Sequence, residues 1–356
     1  MESWETKLRR VTPYVPGEQP KDDRVIKLNT NENPYPPTPR VAQVLSDFDV
    51  DGLRKYPDPA AEDLTSAIAE TYGVDKNRIF VGVGSDDVLA MSFLTFFCSQ
   101  DPILFPDITY SFYDVWADLF RIPYKCIPID DAFAVRTEDY LSAAPCGGII
   151  LPNPNAPTGR LKDPAEIERI VAAHPECVVI IDEAYIDFAP EGSSVLPLID
   201  QFDNLLVVRT FSKSRSLAGS RIGYAFGSQK LISALSDVKY SFNSYTMDRL
   251  TIAIGRAAME DEAYFKKQTE RIIATREYTA QRLLQLGFSF PKSSANFLFI
   301  THPDIPAAQL FSDLKENRIF VRYFKRPRID DYLRVTIGTR EEMDAFLSFL
   351  QTKYHL

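Results

Sequence analysis

The lysine in Ser212-Lys213-Ser214 is the residue of this sequence best placed to do chemistry. Four apolar residues at 205–208 predict a buried strand that ends shortly before it. Ligand sites in open α/β sheets form at the carboxyl ends of strands. A lysine amine is nucleophilic at neutral pH when burial or a nearby cation such as Arg221 lowers its pKa. We therefore predict a carbonyl-reactive lysine beside an anion site, although a solvated surface loop is the commoner explanation for one isolated lysine.

A second candidate site follows another apolar run. Residues 177–181 predict a central strand that is buried on both faces, and Asp182 and Glu183 come directly after it. Buried carboxylates are costly unless they are paired, so Asp182 needs a positively charged partner. Tyr185 lies close enough to share that partner's site. A metal ion would also satisfy the two acids, but no third ligand follows at a clear spacing.

An anion site is also predicted near residue 85. Residues 78–83 read as a strand and a glycine turn, and Ser85 or Asp86 is the expected N-cap of the next helix. A helix amino terminus binds phosphate through its free N–H groups. The stretch lacks the third glycine of a dinucleotide-binding fingerprint, so nucleotide binding is not favoured.

Alternating strands and helices predict an α/β fold with a large domain at 46–240. A smaller domain is expected from an extended arm at 1–45 together with 241–356. Residues 228–287 read as one nearly continuous helix with a break near 241–244, and 295–356 as an α+β unit. This unit includes single strands at 318–323 and 332–337.

Composition narrows the function further. The 356 residues carry a net charge of −9, which argues against nucleic-acid binding. No apolar run approaches the ~18 residues that span a membrane, so we expect a cytoplasmic protein with neither a signal peptide nor a membrane helix. The four widely spaced cysteines predict buried thiols rather than disulfides or zinc, and the three histidines show no metal-ligand spacing. We expect no metal site.

Six motifs distributed over nearly the whole chain resemble one family. They are L-N-x-N-E-N-P at 28–34, Y-P-D at 56–58, P-T-G at 157–159, D-E-A-Y at 182–185, S-K-x-x-x-L-A-G-x-R-x-G-Y at 212–224 and L-R-V-T-I-G-T at 333–339. In order and spacing they resemble the fold-type I pyridoxal-phosphate (PLP) aminotransferases, and among these the histidinol-phosphate aminotransferase family. The resemblance implies a large domain with a mostly parallel seven-stranded sheet between helices, a smaller α+β domain, and a homodimer with shared active sites.

The same resemblance implies the cofactor's contacts. Lys213 would bind PLP covalently and move a proton, while Asp182 would pair with the ring nitrogen. Tyr185 would bond the ring hydroxyl and Tyr110 would stack on the ring. The cofactor phosphate would be held by Ser85, Asp86, Ser212, Arg221 and, from the neighbouring subunit, Tyr56. One position departs from the family pattern: Ala156 replaces an asparagine that bonds the ring hydroxyl, and Asn155 is the nearest substitute.

Substrate contacts are implied for Tyr14, Asn33, Arg322 and Arg334. On the residues alone, each strand arginine could equally be the outward position of an edge strand. The implied reaction interconverts L-histidinol phosphate and 2-oxoglutarate with imidazole acetol phosphate and L-glutamate. An aromatic or other amino-acid aminotransferase, a threonine-phosphate decarboxylase and a non-catalytic PLP-binding regulator are the alternatives.

Overall fold

The computed structural model describes residues 3–22 and 24–356. In this part of the chain the strands are β1 (Ile26–Lys27), β2 (Ile79–Gly82), β3 (Ile103–Pro106), β4 (Tyr124–Ile127), β5 (Gly148–Pro152), β6 (Val179–Asp182), β7 (Leu205–Thr210), β8 (Gly223–Phe226), β9 (Phe297–Ile300), β10 (Ile319–Phe320), β11 (Arg322–Tyr323) and β12 (Leu333–Thr336). The α-helices are α1 (Pro39–Asp47), α2 (Glu62–Tyr72), α3 (Ser85–Phe96), α4 (Tyr113–Phe120), α5 (Thr137–Leu141), α6 (Pro164–Ala173), α7 (Gln229–Phe242), α8 (Arg249–Met259), α9 (Glu262–Gln285), α10 (Ala307–Glu316) and α11 (Arg340–Tyr354). None of these helices is long and apolar enough to cross a membrane.

A seven-stranded sheet forms the centre of the larger part of the fold. Its order is β2-β8-β7-β6-β5-β3-β4, and every pairing is parallel except those of β8. The mostly parallel seven-stranded sheet is thus confirmed. Alternate residues of the central strands face two different cores, Ile181 and Val207 on one side and Ile180 and Val208 on the other. Helices therefore cover both faces, which explains the unbroken apolar runs.

The register of the sheet aligns three strand ends. Pro152 of β5 pairs with Asp182 of β6, and Asp182 pairs with Val208 of β7. Because the strands are parallel, the loops that follow them leave from one edge. The loop containing Lys213 therefore starts beside Asp182.

Local signals set most helix ends. Asp163 caps α6 by accepting a hydrogen bond from the N–H of Ala165 at 2.8 Å, and Pro164 is its first residue, as predicted. The predicted cap of α3 is wrong. Gly84 is the N-cap, with φ of +84°, and Ser85 is the first helical residue. A glycine is favoured here because few other residues adopt this backbone conformation.

The carboxyl-terminal unit differs in detail from the prediction. The expected helix at 228–287 is three helices, because Asp248 and Asp261 each cap a new one. The expected strand at 318–323 is two short strands: β10 pairs with β1, whereas β11 joins β12 and β9 in an antiparallel sheet. Residues 26–27 of the arm are thereby tied to this unit.

Candidate functional site

A pocket of about 280 Å³ opens at the carboxyl edge of the seven-stranded sheet. The structure brings eight of the predicted site residues together in its lining: Ser85, Asp86, Tyr110, Asp182, Tyr185, Ser212, Lys213 and Arg221. They come from the start of α3, from the end of β6, from the loops after β3, β6 and β7, and from the turn before β8. Predicted site residues that are spread from position 85 to position 221 of the sequence are thus neighbours in the fold.

The amine of Lys213 lies inside this pocket. It donates a hydrogen bond to the carbonyl of Thr30 at 3.3 Å and lies 5.8 Å from the centre of the Tyr185 ring. Burial, reinforced by the charges of Arg334 and Arg221, lowers the pKa of Lys213 to about 8. A substantial fraction of the amine is therefore neutral and nucleophilic near neutral pH.

Asp182 is only 5% exposed and faces the same space. Its carboxylate accepts hydrogen bonds from the hydroxyl of Tyr113 at 2.9 Å and from the N–H of Ala184 at 3.2 Å. Burial raises the pKa of Asp182 to about 6. Among the described residues, no lysine, arginine or histidine forms an ion pair with Asp182. A cation bound in the pocket would therefore meet a carboxylate whose charge is not yet balanced.

The start of α3 and Arg221 form an anion cradle. The Arg221 guanidinium lies 3.1 Å from the Asp86 carboxylate, which also accepts a 2.8 Å hydrogen bond from Tyr110. The Asp86 side chain is thus already bonded. Its backbone N–H lies in the first turn of α3, where N–H groups can bind an anion. A Cβ on Gly223 would lie 2.2 Å from the carbonyl carbon of Gly84, so β8 can approach the helix start this closely only with glycine.

Asn155 is not brought into this pocket. Its amide nitrogen donates to the carbonyl of Ile108 at 3.0 Å and to the hydroxyl of Thr158 at 3.2 Å, and Ala156 lines the pocket instead. The role of Asn155 as a cofactor contact therefore stays a prediction, and the lining of this pocket does not support it. The side chains of Asn155 and Ala156 point to different sides of the turn, and the Asn155 amide makes the hydrogen bond to Thr158 that closes the turn.

Sequence reasoning missed Asn31. Its amide donates to the hydroxyl of Tyr185 at 2.9 Å, and its own oxygens accept from Thr336 and Asn296, both at 3.0 Å. Asn33, a predicted substrate contact, donates a hydrogen bond to the carbonyl of Lys213 at 3.0 Å. The asparagines of the arm are spaced two residues apart, and this pattern in the sequence could have marked Asn31 as a site residue. The pattern does not show which partner each asparagine contacts.

The two strand arginines lie directly opposite each other, Arg322 on β11 and Arg334 on β12. Arg322 donates to the carbonyl of Val15 at 3.1 Å, and Arg334 to that of Asn29 at 3.0 Å. The Nε of Arg334 is buried without a hydrogen-bond partner in the described part of the chain. Like charges facing each other across a strand pair repel, so a bound anion would stabilise this pair.

Two predicted aromatic contacts lie outside the pocket lining. Tyr14 stacks on Phe112, with ring centres 4.1 Å apart. Tyr56 is 78% exposed and stacks on Tyr245 at 4.6 Å. Neither residue lines the pocket of its own chain.

The prediction of buried thiols is confirmed for Cys177, whereas Cys146 is only half-buried and the other two cysteines contradict it. Cys98 and Cys126 are exposed, because Cys98 follows the end of α3 and Cys126 lies on the edge strand β4. Cys146 and Cys177, 31 residues apart in sequence, lie with their sulfurs 3.5 Å apart.

The fold and pocket define an α/β enzyme site built on a lysine amine, a buried carboxylate and an anion cradle. The model of the family "Aminotransferase class I and II" matches residues 23–350. The chain belongs to that family.

Close relatives are similar over nearly their whole length. A histidinol-phosphate aminotransferase of Aromatoleum aromaticum is 51% identical over 350 residues, with 98% of each chain covered. A histidinol-phosphate aminotransferase of Lactococcus lactis subsp. cremoris is 50% identical over 349 residues, which cover 98% of this chain and 97% of the relative.

Solved structures show the same fold at lower identity. A putative histidinol-phosphate aminotransferase from Erwinia carotovora atroseptica has a TM-score of 0.86 at 23% identity, with 94% of this chain and 97% of that chain covered. The Sinorhizobium meliloti histidinol-phosphate aminotransferase, solved in complex with pyridoxal-5'-phosphate, has a TM-score of 0.83 at 23% identity, with 92% and 91% covered. These matches confirm the fold-type I architecture predicted from the motifs.

Proposed function

We propose that this chain is a PLP-dependent aminotransferase that interconverts L-histidinol phosphate and 2-oxoglutarate with imidazole acetol phosphate and L-glutamate, a step of histidine biosynthesis. The observation that carries the proposal is the pocket itself: a lysine amine of lowered pKa and a buried, unpaired carboxylate line one cavity. Relatives that share about half of its residues bear the name of this activity.

The residues of the pocket fit PLP. The cradle of Ser85, Ser212 and Arg221 suits a phosphate dianion. Asp182, buried without a cation among the described residues, suits a protonated pyridine nitrogen. When bound, PLP supplies an aldehyde that combines with amines and a ring that withdraws electrons from the substrate carbon.

The chain's own side chains then have separate tasks. The Lys213 amine would hold the cofactor covalently, and as a free amine it would take a proton from the substrate Cα and return it as an acid. Asp182 would keep the ring nitrogen protonated, because the positive charge of that nitrogen would stabilise the buried carboxylate. The Tyr185 hydroxyl, which accepts a hydrogen bond from Asn31, would bond the ring hydroxyl, and Tyr110 would stack on the ring.

Arg334 and Arg322 supply the charge for the substrate's phosphate or carboxylate. The buried Nε of Arg334 still has a hydrogen bond to donate, and the guanidinium fork binds such anions in a bidentate way. Both arginines also contact the arm, through Asn29 and Val15, so anion binding and arm position are connected.

A second copy of the chain completes the site in this proposal. Exposed apolar side chains cluster in two segments, 50–56 and 240–245, which meet where Tyr56 stacks on Tyr245. Their exposures are Val50 71%, Leu53 57%, Tyr56 78%, Tyr240 45%, Phe242 73% and Tyr245 46%. A patch of this kind is typical of a protein–protein interface. Tyr56 would there reach the cofactor phosphate of the partner.

Substrate assays test the reaction. The purified enzyme with PLP is given histidinol phosphate, phenylalanine or threonine phosphate, with 2-oxoglutarate as acceptor. We expect kcat/KM to be highest for histidinol phosphate. Carbon dioxide release from threonine phosphate would identify a decarboxylase, a preference for phenylalanine an aromatic aminotransferase, and cofactor binding without turnover a regulator.

Mixing two inactive variants tests the shared site. Lys213→Ala and Tyr56→Ala each damage every site of their own homodimers. In a hybrid dimer, one site contains both lesions and the other contains neither if Tyr56 acts across the interface. Activity should therefore recover on mixing. If Tyr56 served its own chain, both hybrid sites would stay damaged and mixing would restore nothing.

A further inference from the structure

Three side chains that bind soft metals meet at the edge of the sheet opposite the pocket. Cys146 precedes β5, His174 follows α6, and Cys177 precedes β6. One ligand atom from each lies within 4.8 Å of the other two. Among the described residues, no other set of three or more histidine, cysteine, aspartate or glutamate side chains brings its ligand atoms this close together.

The distance between the two sulfurs fits a shared metal ion. Two thiolates on a tetrahedral Zn²⁺, with Zn–S bonds of about 2.3 Å, are roughly 3.8 Å apart. The observed separation is 3.5 Å. A disulfide would require an approach to about 2.0 Å, which is a much larger change. A simple thiol–thiol hydrogen bond would also give this distance, so the third residue decides.

His174 has the environment of a metal-binding histidine. It is 4% exposed, and its Nε2 lies 2.8 Å from the carbonyl of Tyr140. A carbonyl only accepts, so Nε2 donates its proton and the neutral ring carries its lone pair on Nδ1. Metal-bound histidines characteristically use a backbone carbonyl in this way to fix the ring.

The backbone around these ligands is held in place. The side chain of Asn204 donates to the carbonyls of both His174 and Cys177, at 2.8 and 3.1 Å, and the N–H of Cys177 bonds the His174 carbonyl at 3.3 Å. These hydrogen bonds fix the backbone positions of His174 and Cys177, which are three residues apart, without a bound ion. Glu176, 67% exposed, has its carboxylate 3.8 Å from the ring Nδ1 on the solvent side.

We propose that Cys146, His174 and Cys177 form a structural Zn²⁺ site, with an oxygen of Glu176 or water at the fourth position. The ion would connect the amino ends of β5 and β6, the two strands whose other ends carry Pro152 and Asp182 of the pocket. It takes no part in the transfer reaction. This proposal departs from the expectation from sequence of no metal site, because Cys146 lies 31 residues from Cys177 in sequence and only the fold brings the two together.

Cobalt titration tests the site in the full-length enzyme with PLP bound. The protein is reduced, freed of metal with a chelator and titrated with Co²⁺. Tetrahedral thiolate-bound Co²⁺ has intense ligand-field bands at longer wavelengths than the cofactor absorbs. We expect these bands to saturate at one equivalent per chain, with Cys126→Ser as a matched control that keeps them. Cys177→Ser and His174→Gln should weaken binding by at least about 100-fold.

Two readouts on the unmodified chain guard against variants that misfold. Zn²⁺ should protect two of the four thiols from a thiol reagent and raise Tm by roughly 5 °C. The proposal is overturned if no tetrahedral bands form, if they persist in Cys177→Ser, or if Zn²⁺ leaves all four thiols reactive. Loss of two thiols as a Cys146–Cys177 disulfide under reducing conditions would also contradict it.

Discussion

Two adjacent carboxylates at the end of β6 have opposite surroundings. Glu183 is fully buried and is bonded by the Arg209 guanidinium at 2.8 and 3.0 Å, by the Ser194 hydroxyl at 2.8 Å and by the N–H of Val195 at 2.7 Å. Asp182, one residue earlier, has a tyrosine hydroxyl and one N–H. The chain supplies a cation to one acid and leaves the other for a ligand.

The cations show the same contrast. Arg209 is buried with its charge paired to Glu183. Arg334 is half-buried, and it faces another arginine. Its buried Nε has no hydrogen-bond partner among the described residues. In the same part of the chain, the hydrogen-bond partner of the Lys213 amine is a carbonyl. Charges that stabilise the fold are completed within the protein. Lys213 in the pocket and Arg334 on β12 lack such ion pairs in the described residues, which is typical of charges that bind a ligand.

Removing the pocket's amine gives the largest expected effect. Lys213→Ala should lower kcat by about 10⁴-fold, roughly 5 kcal/mol, because both the covalent attachment and the proton carrier are lost. Borohydride should no longer fix the cofactor to the chain. Lys162→Met is a matched control, since Lys162 is also a part-buried lysine that bonds a carbonyl. Near-normal turnover by Lys213→Ala would refute the proposed function.

Breaking the self-sufficient ion pair should instead damage stability. Glu183→Gln leaves the Arg209 guanidinium buried beside a neutral amide, and the free energy of unfolding should fall by about 3–5 kcal/mol. Urea denaturation measures it. Glu138→Gln, which removes an exposed partner of Arg169, should cost less than ~1 kcal/mol. Equal effects would remove the distinction between the two kinds of charge.

In the cofactor-free enzyme, Asp182→Asn should raise the free energy of unfolding, whereas Glu183→Gln lowers it. The pKa of Asp182 rises from 3.8 to about 6 on folding, so folding favours the protonated acid. The stability that this provides is full below pH 3.8 and is lost as pH rises through 6. At pH 8, Asp182→Asn should therefore gain about 1–3 kcal/mol over the parent chain, and nothing at pH 3.5.

The same variant should bind PLP more weakly, because the amide cannot balance a charged ring nitrogen. Denaturation at the two pH values, with and without PLP, checks both statements. A cofactor-free Asp182→Asn that is less stable than its parent at pH 8 would show that the carboxylate is already satisfied.

The smallest expected effect sharpens the contrast between arginines. Arg334→Lys keeps the charge but loses the planar fork, so KM for histidinol phosphate should rise about tenfold, ~1.4 kcal/mol. Arg322→Lys should change KM less, because that side chain is more exposed and bonds the arm. Steady-state kinetics with each variant measures the difference. A larger effect at Arg322 would reverse the assignment.

Local sequence signals predicted the central strands of the large sheet and the residues that follow them, but not the cap of α3 or the breaks at Asp248 and Asp261. Apolar runs located β6 and β7, and therefore Asp182 and Lys213, because strand ends need only local information. The motif order predicted that these ends meet. The partners of Asp182 and Glu183 could not be predicted, since Tyr113 and Arg209 lie 69 and 26 residues away. The side to which Asn155 points depends on the turn that Thr158 closes, and nothing in the residue types reveals it.

Three asparagines in the arm meet three different parts of the molecule. The carbonyl of Asn29 accepts from Arg334, the amide of Asn31 bonds Tyr185, and that of Asn33 bonds the Lys213 carbonyl. They are spaced two residues apart, and each of the three hydrogen bonds is 2.9 to 3.0 Å long. Deleting one residue from 29–33 would move each asparagine to a place built for its neighbour, so this short stretch tolerates replacement of a side chain far better than any change in its length.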